Sequence, residues 1–266
     1  MVTERLSRGS QWPAQRRWLV SCACAFASGC SSTGVGNPGP VAALSLAIVA
    51  DDEEAPSGEP IEPELAPGSL SQAVLVIGSV STVPCDPEAA STLHAGPFVV
   101  DLLSGTTEPE VPAFDLPEGG ICGLDAPLAP ARDSAELGGR SFYFRGVRAD
   151  GLEFIVFADL RVTLRMRVAA ETALGLDEGS WGVVWAMRPR RWSAEAELGT
   201  ARPLAWGNGR QTIVIDANRH PLLLAAIAAR LGRQSGVFAD PDRNGLLDAG
   251  ERARGELGIG SSEVDE

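Results

Sequence analysis

Residues 141–168, SFYFRGVRADGLEFIVFADLRVTLRMRV, decide the fold of this chain. At the end of this stretch apolar and polar side chains alternate, which is the period of a β-strand with one buried and one wetted face. The dipeptide Asp150-Gly151 stands between two such β-rich runs, 141–148 and 152–168, and indicates a hairpin turn. The stretch therefore predicts antiparallel strands.

Further β-rich runs lie on both sides of this hairpin. They are short, rich in Val, Ile, Phe and Trp, and bounded by turn residues. They are residues 41–50, 73–83, 98–103, 121–128, 181–187 and 212–215. About nine strands at this spacing predict a mainly β fold, and specifically an antiparallel β-sandwich.

One helix is predicted near the C-terminus, over residues 222–231. The segment is rich in Leu and Ala. Asn218 and Pro221 precede it as start signals, and Gly232 follows it as a stop signal.

The N-terminus has the pattern of an export signal. Four arginines in residues 1–17 are followed by an uncharged, mostly apolar run, 18–27. This run is too short to span a bilayer, which needs about 20 residues. A positive leader, a short apolar run and the small residues 27–29 together describe a secretory signal peptide.

Residues 27–30, Ala-Ser-Gly-Cys, resemble the lipobox of bacterial lipoproteins, although that family usually has Leu at the position of Ala27. In the family the cysteine is acylated and becomes the new N-terminus. The resemblance implies removal of residues 1–29 and membrane attachment through a lipid on Cys30. Because Ser31 rather than Asp follows, it also implies the outer membrane of a Gram-negative cell envelope. An ordinary signal peptide with a chance cysteine is the alternative.

The cysteine count agrees with export. Cleavage would remove Cys22 and Cys24, and lipidation would use Cys30. The remaining pair, Cys85 and Cys122, would then lie in an oxidising compartment, so we predict a disulfide between them. Two buried free thiols are the alternative.

The charge and the polar motifs exclude several functions. The formal net charge of −13 argues against a nucleic-acid partner, because phosphate binding needs clustered cations. The chain has only two histidines, and it contains neither a nucleophile elbow nor a phosphate loop. We therefore predict no catalytic residue.

Composition divides the chain into regions of different character. After the signal peptide, Gly, Ser and Pro predict a flexible tether, and a cluster of acids and prolines predicts a solvated acidic loop within the β-sandwich domain. The regions are the tether 30–40, the β-sandwich 41–217 with its acidic loop 51–68, a helix plus calcium loop 218–258, and an acidic tail 259–266.

Residues 240–251, DPDRNGLLDAGE, match the calcium-loop pattern D-x-[DN]-x-[DN]-G, five further residues and E. Ca²⁺ prefers oxygen ligands, which this spacing supplies from one turn of chain. Gly245 stands where the chain must turn sharply, and Leu247 is expected to point inward. The predicted ligands are the side chains of Asp240, Asp242, Asn244 and Glu251, the backbone carbonyl of Leu246, and Asp248 through a water.

The segment resembles EF-hand-type loops, including those of exported bacterial proteins. The likeness covers the loop but not its flanks, because Gly232 and Gly236 interrupt the helix that would enter it. The resemblance implies bound calcium. Because the sequence has no second loop of this kind to pair with it, we expect a Kd of about 10⁻⁴–10⁻³ M, as in extracellular modules. A polar turn without a metal is the alternative.

The function predicted from these features is that of a non-enzymatic, lipid-anchored envelope protein with a structural or binding role. One alternative is a carbohydrate- or peptide-binding module of a surface uptake or adhesion system. The other is a calcium-dependent envelope hydrolase. The first alternative would be supported by a sugar-stacking surface patch of the four tryptophans Trp181, Trp185, Trp192 and Trp206. Of these, Trp181 and Trp185 are expected in the core, and Trp192 is the better surface candidate.

Overall fold

The computed structural model describes residues 42–51, 67–131, 137–148, 150–169, 172–174, 181–194, 198–206 and 209–264. The chain divides into Met1–Gly39 and Pro40–Glu266, and every described residue belongs to the second unit. The predicted signal peptide, Cys30 and the tether lie outside the described residues, as do residues 52–66 of the predicted acidic loop.

Strands make up most of the described chain, which confirms the prediction of a mainly β fold. They are β1 (Ala43–Ala50), β2 (Pro67–Pro84), β3 (Leu93–Asp101), β4 (Thr106–Glu108), β5 (Phe114–Asp115), β6 (Ile121–Pro127), β7 (Phe142–Arg148), β8 (Glu153–Ala158), β9 (Val162–Val168), β10 (Trp181–Met187), β11 (Leu204–Trp206), β12 (Arg210–Ile215), β13 (Ser235–Ala239) and β14 (Gly258–Val264). The helices are α1 (Pro189–Ala194), α2 (Pro221–Leu231) and α3 (Ala249–Arg254), with a 3-10 turn at Leu198–Thr200.

These strands form one curled sheet, where we had predicted the two separate sheets of a sandwich. Its order is β11-β12-β8-β7-β2-β6-β9-β14-β13-β10-β1-β5, with β3 joined to β2 and β4 joined to β3. Nor is the sheet purely antiparallel, because β1 pairs with β10 and β8 pairs with β12 in parallel. Hairpin signals fix only strands that are neighbours in sequence, whereas both parallel pairs join strands far apart in the chain.

The hairpin that decides the fold forms as predicted. β7 pairs antiparallel with β8. The turn between them contains Gly151 at a φ of 83°, and its N–H donates to the carbonyl of Arg148 at 2.9 Å. The period of two also holds in β9, where Val162, Leu164 and Met166 are buried and the residues between them are half-buried.

The inner face of the curled sheet holds the main core, and two helices pack into it. Helix α2 confirms the predicted helix and buries Leu224, Ile227, Ala228 and Leu231, although its N-cap residue is His220 rather than Asn218. Helix α1 carries Trp192, whose ring centroid lies 5.9 Å from those of Phe142 and Phe144.

The outer face of the sheet carries two smaller apolar clusters. The first, which we call the β10 patch, consists of Val49, Val184, Ala186, Phe238 and Leu247. The second consists of Val76, Ala131 and Leu137. The β10 patch explains why β10 does not alternate as predicted: the strand is buried on both faces.

The C-terminal region belongs to the same sheet as the rest of the domain. β13 pairs with β10, and β14 lies between β13 and β9. Gly258–Val264 is therefore a strand in a segment where an acidic tail was predicted.

The sulfur atoms of Cys85 and Cys122 are bonded in the structure, as predicted, and the bridge closes a loop of 37 residues. Cys85 follows β2, and Cys122 lies in β6, which pairs with β2.

Replacing both cysteines by serine should lower the free energy of unfolding by about 3–4 kcal/mol, because the bridge restricts the unfolded chain. Urea unfolding monitored by tryptophan fluorescence measures this loss. Dithiothreitol should reproduce it in the wild type and should leave the double variant unchanged. If dithiothreitol does not change the urea midpoint of the wild type, the disulfide is contradicted.

Candidate metal centre

Residues 240–251 form a loop that follows strand β13 and leads into helix α3. A strand enters the loop where an EF-hand has a helix. The N–H of Asp240 donates to the carbonyl of Gly182 in β10 at 2.8 Å. A Cβ atom at Gly182 would lie only 2.3 Å from the carbonyl oxygen of Asp240, so glycine is needed for the loop to dock here.

Three of the predicted ligands converge within the loop. Asp240, Asp242 and Glu251 each offer one carboxylate oxygen, and these oxygens lie within 4.8 Å of one another. Calcium–oxygen distances of 2.3–2.6 Å place two oxygens on opposite sides of the ion about 4.6–5.2 Å apart. The three carboxylates are therefore spaced to contact a single calcium ion.

Backbone hydrogen bonds hold the first half of the loop in shape. The carboxylate of Asp240 accepts from the N–H groups of Asn244 at 3.1 Å and Gly245 at 2.9 Å. The side-chain oxygen of Asn244 in turn accepts from the N–H of Leu246 at 2.7 Å. Gly245 has a φ of 71°, which confirms the sharp turn predicted at this position.

The second half of the loop is fixed by a capping box at the start of α3. Asp248 accepts from the N–H of Glu251 at 2.8 Å, and Oε2 of Glu251 accepts from the N–H of Asp248 at 3.0 Å. The other oxygen, Oε1 of Glu251, is buried and has no hydrogen-bond partner in the described part of the chain. Since Glu251 is only 3% exposed, that oxygen has lost water without gaining a donor.

The electrostatics of the loop also favour a bound cation. Burial raises the pKa of Glu251, and the carboxylates of Asp240, Asp248 and Asp242 raise it further, against the opposing hydrogen bond from the N–H of Asp248. A cation among these carboxylates would offset both the lost hydration and the repulsion.

The loop also covers part of the sheet. Leu247 points inward as predicted, is 9% exposed, and packs in the β10 patch with Val49, Val184 and Phe238. Its neighbour Leu246 is 58% exposed. The loop therefore closes the outer face of β10.

Helix α3 is tied to the end of β1 by a buried charge cluster. Asp51 accepts from Nε of Arg252 at 3.2 Å and from Nε of Arg188 at 3.3 Å, and Arg188 also pairs with Glu256. Asp51 is 5% exposed, although the sequence predicted it as the first residue of a solvated acidic loop. That prediction is wrong for Asp51, because its two arginine partners lie far along the chain and leave no local signal.

The structure thus brings together part of the predicted ligand set. Asp240, Asp242 and Glu251 converge, while Asn244 and Asp248 are bound to them through hydrogen bonds within the loop. Sequence analysis missed Gly182, whose role depends on a strand remote from the loop.

The four tryptophans do not form a surface patch. Trp185 and Trp192 are fully buried, Trp181 is half-buried, and Trp206 is 36% exposed. The prediction that Trp192 is the best surface candidate is wrong, because α1 turns its ring into the inner core.

Comparison of the chain with known protein families, with curated proteins and with solved structures found no match. Among the described residues, no helix combines the length and the apolar character needed to cross a membrane.

Leu247→Ala should lower the free energy of unfolding by about 2–4 kcal/mol, because it opens a cavity under the loop. Leu246→Ala, one residue away and exposed, is the matched control and should change it by less than about 0.5 kcal/mol. Urea titration of both variants makes the comparison. Equal losses would show that Leu247 does not hold the loop on the sheet.

Proposed function

We propose that this chain is a cell-envelope protein whose C-terminal loop binds Ca²⁺ as a structural ion. The observation that carries the proposal is the buried, unpartnered Oε1 of Glu251, which lies in a group of three converging carboxylates. The donors are all oxygens, without His or Cys, and oxygen donors suit calcium better than zinc or copper.

Each predicted ligand has a definite part in this site. Asp240, Asp242 and Glu251 would hold the ion through their carboxylates, and Glu251 would supply its second oxygen from α3. Asn244 and the carbonyl of Leu246 would complete one side, and Asp248 would act through a water. Bound calcium supplies positive charge where four carboxylates otherwise repel one another.

The proposed role is structural because of what the loop connects. Leu247 covers the β10 patch, and Arg252, next to Glu251 in sequence, reaches Asp51 at the end of β1. An ion that fixes the loop would therefore hold strands β1, β10 and β13 together. A ligand that binds only the folded state stabilises the protein, and this stabilisation grows with the ratio of the ligand concentration to Kd.

The envelope location is supported by other residues. Residues 27–30 have the lipobox pattern behind a secretory signal, and the bridge between Cys85 and Cys122 suits an oxidising compartment. We propose that the lipid on Cys30 is the membrane attachment.

Glu251→Gln tests the calcium site because the variant should be less stable than the wild type in calcium but more stable than the wild type in chelator. Calcium at about one hundred times Kd should stabilise the wild type by about 2.7 kcal/mol, which raises its Tm by about 5–11 °C. The variant should lose this gain. In chelator the variant should nevertheless be more stable than the wild type. Its free energy of unfolding should be higher by about 1 kcal/mol, and its Tm correspondingly higher, because a buried unpaired charge has been removed.

Scanning calorimetry measures these differences with calcium at about 10–100 mM, about one hundred times the expected Kd, with magnesium at the same concentration, and with chelator. Glu118→Gln, an exposed carboxylate in a turn, is the matched control and should keep the full calcium response. A wild-type Tm that is the same in calcium and in chelator would reject the site.

Intact-mass analysis of protein extracted from membranes tests the anchor. The expected mass is that of residues 30–266 plus a set of acyl chains on Cys30. Cys30→Ser should release the protein from the membrane or prevent its processing. A product that keeps residues 1–29 and carries no lipid would refute the proposed attachment.

A further inference from the structure

The outer face of the sheet carries an open groove where β4, β3, β2 and β7 run side by side. Its volume is about 530 Å³, within the range of about 300–1,000 Å³ typical of small-molecule sites. The strand register places Thr106, Asp101, Val74 and Tyr143 in one row across these four strands. The groove is therefore built on paired strands, which hold its side chains at fixed spacing.

The floor of this groove is apolar. Val74, Val99 and Tyr143 are half-buried, so part of each side chain remains open to the groove. They pack on the second outer-face cluster, to which Leu137 belongs. Tyr143 adds an aromatic ring, and the alternation along β7 places Tyr143 and Arg145 on the same face.

The rim of the groove offers hydrogen-bond acceptors that the protein does not use. Gln72 and Glu108 are exposed, and the side chain of neither is bonded to any residue that the structure describes. Asp101 is held in place because its Oδ1 accepts from the N–H groups of Leu103 at 3.0 Å and Ser104 at 3.4 Å. Its Oδ2 has no such partner within the described ranges.

We propose that this groove binds a neutral saccharide, a function separate from the calcium loop. A sugar ring has a C–H face that packs on an apolar floor, and it has hydroxyl groups that donate to carboxylate and amide oxygens. The carboxylates of Asp101 and Glu108 repel acidic glycans, and the net charge of −13 adds to this repulsion.

A metal ion fits this groove less well. Asp101 lies opposite Thr106, so Asp101 and Glu108 are diagonal neighbours about 7–8 Å apart at their backbones. In the part of the chain that the structure describes, the group of at least three convergent metal-binding side chains is in the 240–251 loop. The spacing at the groove instead suits separate hydroxyl groups of one ligand.

Further aromatic rings extend from Tyr143 and favour a ligand of several sugar units. Tyr143 pairs across the strands with Phe157, and the ring centroid of Trp206 lies 6.1 Å from that of Phe157. Trp206 is 36% exposed, and the guanidinium of Arg219 lies 5.5 Å from its ring centroid. The guanidinium of Arg140 lies 4.0 Å from the ring centroid of Phe157 and covers that ring, so a chain of sugars along this line would next reach an exposed ring at Trp206.

Isothermal titration calorimetry of the mature protein, in a detergent without a sugar head group, tests the proposal. The probes are cellotetraose, chitotetraose, maltotetraose and xylotetraose, with tetragalacturonate as the acidic comparison and pentalysine as the cationic one. At least one neutral tetrasaccharide should bind, in calcium and in chelator alike, and tetragalacturonate should not.

Two exposed rim positions supply the variants. Gln72→Ala and Glu108→Ala should each weaken binding of the tetrasaccharide about tenfold, as expected when one or two hydrogen bonds are lost. Glu118→Ala, an exposed carboxylate outside the groove, is the control and should bind like the wild type. Trp206→Ala should weaken the tetrasaccharide more than the matching disaccharide.

Three outcomes would overturn the proposal. One is that no neutral saccharide of the panel binds at millimolar concentration. Another is that a saccharide binds with the same affinity to Gln72→Ala and Glu108→Ala as to the wild type. The third is binding of pentalysine alone, which would assign the groove to a cationic peptide.

Discussion

The packing of Leu247 against the outer face of β10 is the contact on which the C-terminal half of the domain depends. β10 lies between β1 and β13, and both of its faces are apolar. The inner face is covered by the main core, but nothing from the sheet itself can cover the outer face. The 240–251 loop does so, since Leu247 packs with Val184 and Phe238 there. Burying a leucine contributes about 1.5–3 kcal/mol, which favours this position of the loop.

The same loop carries a cost, because it brings carboxylates together as it folds. Asp240 and Glu251 are almost fully buried, and the first accepts two backbone hydrogen bonds that compensate its desolvation. Glu251 is compensated at one oxygen only. The position of Leu247 thus requires a turn whose charges are not balanced by protein groups alone, which is the physical reason to propose a cation there.

The sequence predicts a feature well where that feature depends on residues that are neighbours in the chain. The β7–β8 hairpin, the alternation in β9 and helix α2 depend on neighbouring residues, and these predictions are confirmed. The parallel β1–β10 pair, the burial of Asp51 and the need for glycine at position 182 depend on distant partners. The calcium-loop motif predicted the candidate ligands in residues 240–251. It could not predict that the loop packs on strand β10, because the motif contains no residue of that strand.

The two apolar clusters on the outer face of the sheet are covered to different extents. In both clusters, outward-facing apolar residues of a strand pack with a residue from outside the strands, namely Leu247 in the first and Leu137 in the second. In the β10 patch a leucine from a folded loop completes the packing, and each buried residue of the patch is at most 9% exposed. Above Val76 and Leu137 the cover is partial, and Val74, Val99 and Tyr143 keep open surface beside unused acceptors. An apolar floor next to exposed polar groups gives a ligand both packing and orientation, so the incomplete cover is the reason to propose a binding site at the second surface.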